Sequence, residues 1–221
     1  LMTVYFRKKV FKSKENKVYS ILVVVSFFEL IVELILDFVG PMYKEIPNVS
    51  YFVARLFSLC VELWITILLC YVLFVCLGIK EKEKYIPTVR NIAFVFMIIF
   101  ATLNFMLPLN FKYDGYIAYT YGPSVNIIYI SAFVYSFIGI IVLIKNIKNI
   151  KDKRFFPILL FLLLGGIASY IQYMNPGLLL ATPIHAFITF LMYFTIENPD
   201  VKVIEEYHKA KEIADNANED K

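Results

Sequence analysis

The feature that most constrains this chain is the regular alternation of long apolar blocks with short polar segments. The blocks cover about residues 18–39, 51–79, 88–107, 124–145, 155–173 and 178–196. Each block is about long enough for a helix to cross a hydrocarbon core of roughly 30 Å. Only helices and closed barrels satisfy the backbone in lipid, and barrel strands would give alternating segments of about ten residues. The pattern predicts an all-α integral membrane protein with a six-helix transmembrane bundle.

Basic residues lie in alternate connecting segments, and this predicts the orientation of the bundle. The segments 7–17, 80–90 and 145–154 carry most of the 22 lysine and arginine residues. The intervening segments carry only Lys44 and Lys112. Because basic loops stay on the cytoplasmic side, we expect a multi-pass plasma-membrane protein with a cytoplasmic C-terminus. The net charge of +4 is the sum of these loops and an acidic tail, and it does not indicate nucleic-acid binding.

The two ends of the chain are expected to lie outside the bundle. Residues 1–17 begin with a short apolar stretch and then turn basic. We interpret them as the end of a truncated helix and a cytoplasmic loop, so that the bundle would have seven helices. Residues 197–221 predict a cytoplasmic linker helix. Its seam residues alternate in steps of four and three, as in a coiled coil: Val203, Tyr207, Ala210, Ala214 and Ala217. The seam favours a homodimer, although its short length also fits a solvated amphipathic helix.

Charged residues inside the apolar blocks need a structural or functional reason, because each costs about 3 kcal/mol in a bilayer. Glu29, Glu33 and Asp37 are spaced four apart and therefore form one stripe on the first helix. Arg55 and Glu62 share a face of the second helix. We expect Arg55 to pair with Asp37 or Glu33 in the outer half of the bundle. Such a pair could fix helix register or take part in sensing.

Further polar residues inside the apolar blocks lie near the midplane or toward the outside of the bundle, and they are candidates for the signal site. Glu29 and Glu62 are both near the midplane, and if they faced each other at least one carboxyl would hold a proton, which would suit a proton relay as well as a sensor. The other polar candidates cluster toward the outside: Asn104, Asn126, Gln172 and His185. A polar outer vestibule above an apolar inner bundle predicts binding from outside rather than a continuous pore.

No catalytic site is evident. The sequence has no GxxxxGK[ST], GxGxxG, HExxH or GxSxG motif. Cys60, Cys70 and Cys76 all lie in one apolar block, without CxxC or Cys/His spacing, so we interpret them as packing residues. We expect no catalytic residue, cofactor or metal site in this chain.

Several segments resemble the N-terminal seven-helix membrane region of Firmicute sensor histidine kinases. They are YGPSVN at 121–126, IKNIK at 144–148, NPGLL at 175–179, FLMYFTIENPD at 190–200 and the tail at 204–218. The resemblance covers most of the chain. It implies a bacterial two-component signal-transduction protein whose kinase domains would follow the tail and would act on a response regulator. The phosphoacceptor and ATP-binding segments are not in this sequence, so no catalytic residue is carried over.

The leading hypothesis is therefore a sensor module that passes a signal through the last helix to a kinase domain. The signal could be a small molecule, a peptide or a lipid. One alternative is a small proton-coupled transporter that uses Glu29 and Glu62. Another is a sensor with a different output, such as a cyclase.

Overall fold

The computed structural model describes residues 14–79, 82–113, 115, 117–146, 148, 155–194, 207 and 211. This part of the chain is mostly helical, as predicted. Its main helices are α1 (Lys14–Val39), α2 (Pro47–Ile79), α3 (Ile86–Met106), α4 (Pro123–Lys145), α5 (Phe156–Met174) and α6 (Ala181–Met192). Proline lies in the first turn of α2, α3, α4 and α5, where its missing N–H costs no helical hydrogen bond.

Four of these helices, α2 to α5, are long and apolar enough to cross a membrane, which indicates a membrane location. The other two differ from the prediction of six equivalent spans. Helix α1 is 26 residues long but carries the three acidic residues of its stripe. Helix α6 is apolar and 12 residues long within the described residues.

An antiparallel β-hairpin is the main departure from the all-α prediction. Strand β1 (Asn110–Tyr113) pairs with β2 (Ala118–Tyr121), with Phe111 opposite Thr120. The sequence at 113–119 contains Asp-Gly between aromatic residues, which is a hairpin signal. Gly115 adopts φ 98°, a conformation that glycine accepts readily. We call the end of the bundle that carries this hairpin the hairpin end.

Helix α2 lies at the centre of the fold and contacts all five other helices. The largest fully buried side chains include Tyr19 of α1, Trp64 and Tyr71 of α2, and Ile188 of α6. By contrast, α3 and α4 expose many large apolar side chains on their outer faces. These faces suit contact with lipid acyl chains, so the two helices form the periphery of the bundle around α2.

Candidate functional site

A cavity of about 100 Å³ lies at the hairpin end, between helices α1, α2, α4, α5 and α6. Its helical walls are mainly apolar, with Phe57, Val61, Ile65, Ile128 and Ala132 among them. An engineered apolar cavity that binds benzene has a volume of about 150 Å³, so this space is comparable to one small ring. The cavity therefore has the dimensions and lining of a site for a small, mostly apolar molecule.

The hairpin forms one side of the cavity. Phe111 of β1 and Ala118, Tyr119 and Thr120 of β2 all line it. Phe111 is itself buried, and its ring stacks on Tyr43 with a centroid distance of 5.4 Å. The hairpin is thus fixed by aromatic packing on the loop that follows α1, and it encloses the cavity at this end.

Helix α5 borders the cavity with an irregular turn. Residues Phe161–Gly165 are π-helical, whereas the segments on both sides are α-helical. Phe161 and Gly165 both line the cavity. Single π-helical turns are frequently found at functional sites, because the extra residue redirects neighbouring side chains.

His185 of α6 connects the cavity to a buried polar junction. It lines the cavity and is only 4% exposed. Its Nδ1 lies 2.9 Å from Oε1 of the fully buried Glu29 in α1. Thr182 Oγ1 donates a second hydrogen bond to Glu29 Oε1, at 3.2 Å. The imidazole also stacks on Trp64 of α2, with 3.9 Å between ring centroids and 8° between planes. Three helices therefore meet at this histidine.

Hydroxyl groups extend the junction by one turn of α6. Trp64 Nε1 donates to Ser26 Oγ at 2.8 Å and to Thr189 Oγ1 at 3.1 Å. The two hydroxyls lie 2.9 Å apart, and Thr189 donates to the His185 carbonyl at 2.8 Å. Tyr19 donates to the Thr189 carbonyl at 2.9 Å. Since buried polar groups are costly when unpaired, this network should hold α1, α2 and α6 in one arrangement.

The hydrogen bond to Glu29 also determines what His185 can offer a ligand. When a carboxylate accepts from Nδ1–H of a neutral imidazole, the remaining nitrogen, Nε2, is an acceptor. The described contacts of this ring are the bond to Glu29 and the stack on Trp64, and the residue also borders the cavity.

Glu62 belongs to a different network from Glu29, so the condition under which the two carboxyls would share a proton, that they face each other, is not met. Tyr135 of α4 donates to Glu62 Oε1 at 2.8 Å, and Ser131 of the same helix donates to Oε2. The Tyr135 hydroxyl is also 2.9 Å from Thr66 Oγ1. The reason is rotational: Glu62 is turned toward α4, whereas Glu29 is turned toward α6.

The predicted pairing of Arg55 with Asp37 or Glu33 is also wrong within the described structure. Arg55 Nη2 instead donates to the Leu107 carbonyl at 3.0 Å, and its guanidinium lies 5.7 Å from the Phe105 ring centroid. Helices α1 and α2 are close neighbours, as expected, but Arg55 is turned toward the end of α3. Asp37 is exposed and lines the cavity. One oxygen of Glu33, Oε1, is buried without a hydrogen-bond partner.

The remaining predicted residues divide between the cavity and the scaffold. Gln172 lines the cavity, and its Oε1 accepts from the Leu180 N–H at 3.3 Å. Asn104 is buried but does not line the cavity. It joins α2 to α4, because its side chain donates to the Arg55 carbonyl and accepts from the Ser124 hydroxyl. Asn126 is exposed and does not line the cavity. Of the predicted seam in the tail, only Tyr207 is among the described residues, so the seam as a whole lies outside them.

Several residues of the junction were not predicted, namely Ser26, Trp64, Thr182 and Thr189. Small hydroxyl residues in apolar helices often bond to their own backbone and so carry a weak signal. Trp64 gives a stronger sequence signal, because it is the only tryptophan in the chain and lies in the middle of a long apolar block. A buried indole N–H usually finds a partner.

Comparison of the sequence with models of known protein families gave no match, and neither did comparison with curated proteins or with solved structures.

Proposed function

We propose that this chain is the sensor module of a membrane signalling protein, with a two-component histidine kinase as its output. The observation that supports this most is the position of His185. It borders a ligand-sized cavity and lies on α6, the helix that leads into the C-terminal tail. Binding in the cavity and movement of the tail would thus act on one element.

The proposed topology has six helices in the plasma membrane, with α1 and α6 crossing beside the four more apolar ones. The hairpin end faces outward, and the basic segments and the tail lie in the cytoplasm. The alternation of loop charge supports this orientation. Glu29, the acidic residue nearest the middle of α1, is consistent with a membrane helix, because it is fully buried against α6 rather than facing outward.

In the proposed mechanism, the ligand biases α6 between two positions. Ala181, Ile184 and His185 of α6 all border the cavity. A molecule that contacts them more closely in one position than in the other will shift the equilibrium toward that position. Glu29 and Trp64 hold the unliganded position through His185, and a small shift there would be carried along α6 into a dimeric linker.

The test uses the chain fused after Lys221 to the dimerisation and catalytic domains of a sensor histidine kinase. Ala132→Phe fills the cavity, and Ile130→Phe places the same side chain on the exposed face of the same helix. We expect Ala132→Phe to change autophosphorylation in membrane vesicles at least severalfold and Ile130→Phe to leave it unaltered. If Trp64 emission shows that all three proteins are folded, equal activity of both variants and the parent fusion would contradict a sensing role for the cavity.

A second candidate is a proton-coupled transporter, because Glu29 and His185 form a buried titratable pair beside a cavity. Here Glu62 would have no direct part, since its partners lie on α4. Uptake driven by a pH gradient in proteoliposomes, lost in Glu29→Gln, would favour this candidate over the sensor. A sensor with a cyclase or other effector would share the cavity and differ only in its output domain.

A further inference from the structure

The cavity has a definite electrostatic character. Asp37 is the one carboxylate among the described residues that line it, and none of these residues is a lysine or an arginine. Lys112 lies 6.0 Å from the ring centroid of Tyr119, but Lys112 is exposed and is not a lining residue. A ligand in the cavity therefore meets one carboxylate and no lysine or arginine, and the one histidine of the lining, His185, is hydrogen-bonded to Glu29.

The neighbourhood of Asp37 does not neutralise this charge. Glu33 lies one turn before Asp37 on α1, and its Oε1 has no hydrogen-bond partner. Arg55, the basic residue expected to balance the stripe, is bonded instead to the Leu107 carbonyl. Asp37 and Glu33 thus have no lysine or arginine partner among the described residues, whereas Glu29 of the same helix contacts His185.

Aromatic rings supply a second feature that favours positive charge. Phe57, Phe111, Tyr119, Tyr129 and Phe161 all line the cavity. The faces of such rings attract ammonium groups, with about 0.5 to 2 kcal/mol for a well-placed cation. An anionic ligand would gain nothing from these faces and would be repelled by Asp37.

We propose that the ligand of this cavity is a small amine: an apolar body about the size of one ring, with a protonated amino group that contacts Asp37. This inference rests on the proposed function, because it names the class of signal that the sensor would bind. The apolar body occupies the space between α2, α4 and α5. The ammonium group lies at the end of α1, where Asp37 is exposed and can be approached from the hairpin end.

The test compares three probes of matched shape, namely benzylamine, benzyl alcohol and benzoate. Binding to the full 221-residue chain in nanodiscs is measured by the change in emission of Trp64, the only tryptophan. We expect benzylamine to bind about fivefold more tightly than benzyl alcohol, as a partly exposed ion pair and a cation–π contact would give, and benzoate to bind most weakly.

Two variants and one control identify the origin of the preference. Asp37→Asn keeps the shape and removes the charge, so it should bring benzylamine and benzyl alcohol to nearly equal affinity. Glu45→Gln changes an exposed acid at the same end that does not line the cavity, and it should leave the preference intact. Ala132→Phe should abolish binding of all three probes.

Three results would overturn the inference: no binding of benzylamine, equal binding of benzylamine and benzyl alcohol to the unaltered chain, or binding that survives Ala132→Phe. The proposed function is tested separately by the kinase fusion. If Ala132→Phe alters the fusion's output but the amine preference is absent, the sensor stands and the ligand class is wrong. If the amine binds as expected but output never changes, the ligand class stands and the sensor is wrong.

Discussion

Replacement of Glu29 tests whether the buried junction holds α6 in place. Glu29→Leu keeps the approximate bulk of the side chain but makes it apolar and removes both carboxyl oxygens as hydrogen-bond acceptors. In the unaltered chain, His185 Nδ1 lies 2.9 Å and Thr182 Oγ1 lies 3.2 Å from Glu29 Oε1. Both atoms would lose this partner in a buried site. A buried polar group left unpaired costs about 1 to 3 kcal/mol, so we expect a total loss of about 2 to 5 kcal/mol in the free energy of unfolding.

Glu29→Gln provides the matched comparison. Its amide oxygen can still accept from His185 and Thr182, and it loses only the additional strength of a bond to a charged acceptor. We expect a loss of about 1 kcal/mol, well below that of Glu29→Leu. The assay is equilibrium unfolding in mixed micelles of increasing SDS fraction, followed by the emission of Trp64. Because Trp64 is the only tryptophan and stacks on His185, its signal reports on the junction itself.

Glu33→Leu is the control on the same helix face. The Oε1 atom of Glu33 is buried and unpaired, and the carboxyl has one side-chain hydrogen bond, with Thr182, so its removal should change stability by no more than about 1 kcal/mol. If Glu29→Leu is no less stable than Glu29→Gln, or if Glu33→Leu is as damaging as Glu29→Leu, the reasoning about the junction is refuted.

Three further predictions concern the scaffold around the cavity. Arg55 and Asp37 make no ion pair in the described structure, so a double-mutant cycle of Arg55→Met and Asp37→Asn should give a coupling energy below about 0.5 kcal/mol in SDS unfolding. A larger coupling energy would be evidence for an ion pair between the two residues. Tyr135→Phe removes one of the two side-chain donors to Glu62 and should lower the free energy of unfolding by about 1 to 3 kcal/mol in the same assay; no change would contradict this contact. Gly122→Ala should lower the melting temperature, because φ is 115° there and an added Cβ would lie 3.2 Å from a backbone carbonyl oxygen; an unchanged melting temperature would argue against this turn.

The helical regions could be predicted from the sequence, because a segment that spans a membrane must be long and apolar, and both properties can be read from the sequence. An apolar run long enough to cross lipid must be helical, whatever its neighbours are. That reasoning predicted a helical chain with six spans, and the described residues contain four helices that are long and apolar enough to cross a membrane. It could not resolve the hairpin at 110–121, because short strands inside a connecting segment give only a local signal, such as the Asp-Gly pair.

The site was predicted only in part, because residue spacing gives the face of a helix but not the helix that it meets. The stripe of Glu29, Glu33 and Asp37 was expected to meet Arg55, since α1 and α2 are joined by a short loop. The structure turns Glu29 toward α6, and it turns Arg55 toward the end of α3. Side-chain direction in a bundle is set by the packing of all helices together, and loop charge and spacing contain no information about that rotation.

His185 shows the same limit of prediction from sequence: its approximate position could be predicted, but its contacts with other helices could not. Its sequence position placed it near the start of the last helix, and it does border the cavity. Its contacts with Glu29 and Trp64 join residues that are more than a hundred positions apart in the chain. Such a contact could be identified only once the helices were assembled.

The central claim, that the cavity controls the tail through α6, is tested most directly by disulfide cross-linking at Tyr207→Cys in membrane vesicles. The three native cysteines are first replaced by alanine, and cross-linking between copies is compared in the parent, in Ala132→Phe and in Ile130→Phe. We expect the yield at Tyr207→Cys to change when the cavity is filled by Ala132→Phe and to stay at the parental value in Ile130→Phe. The same yield in all three proteins would contradict the claim that the cavity and the tail are coupled.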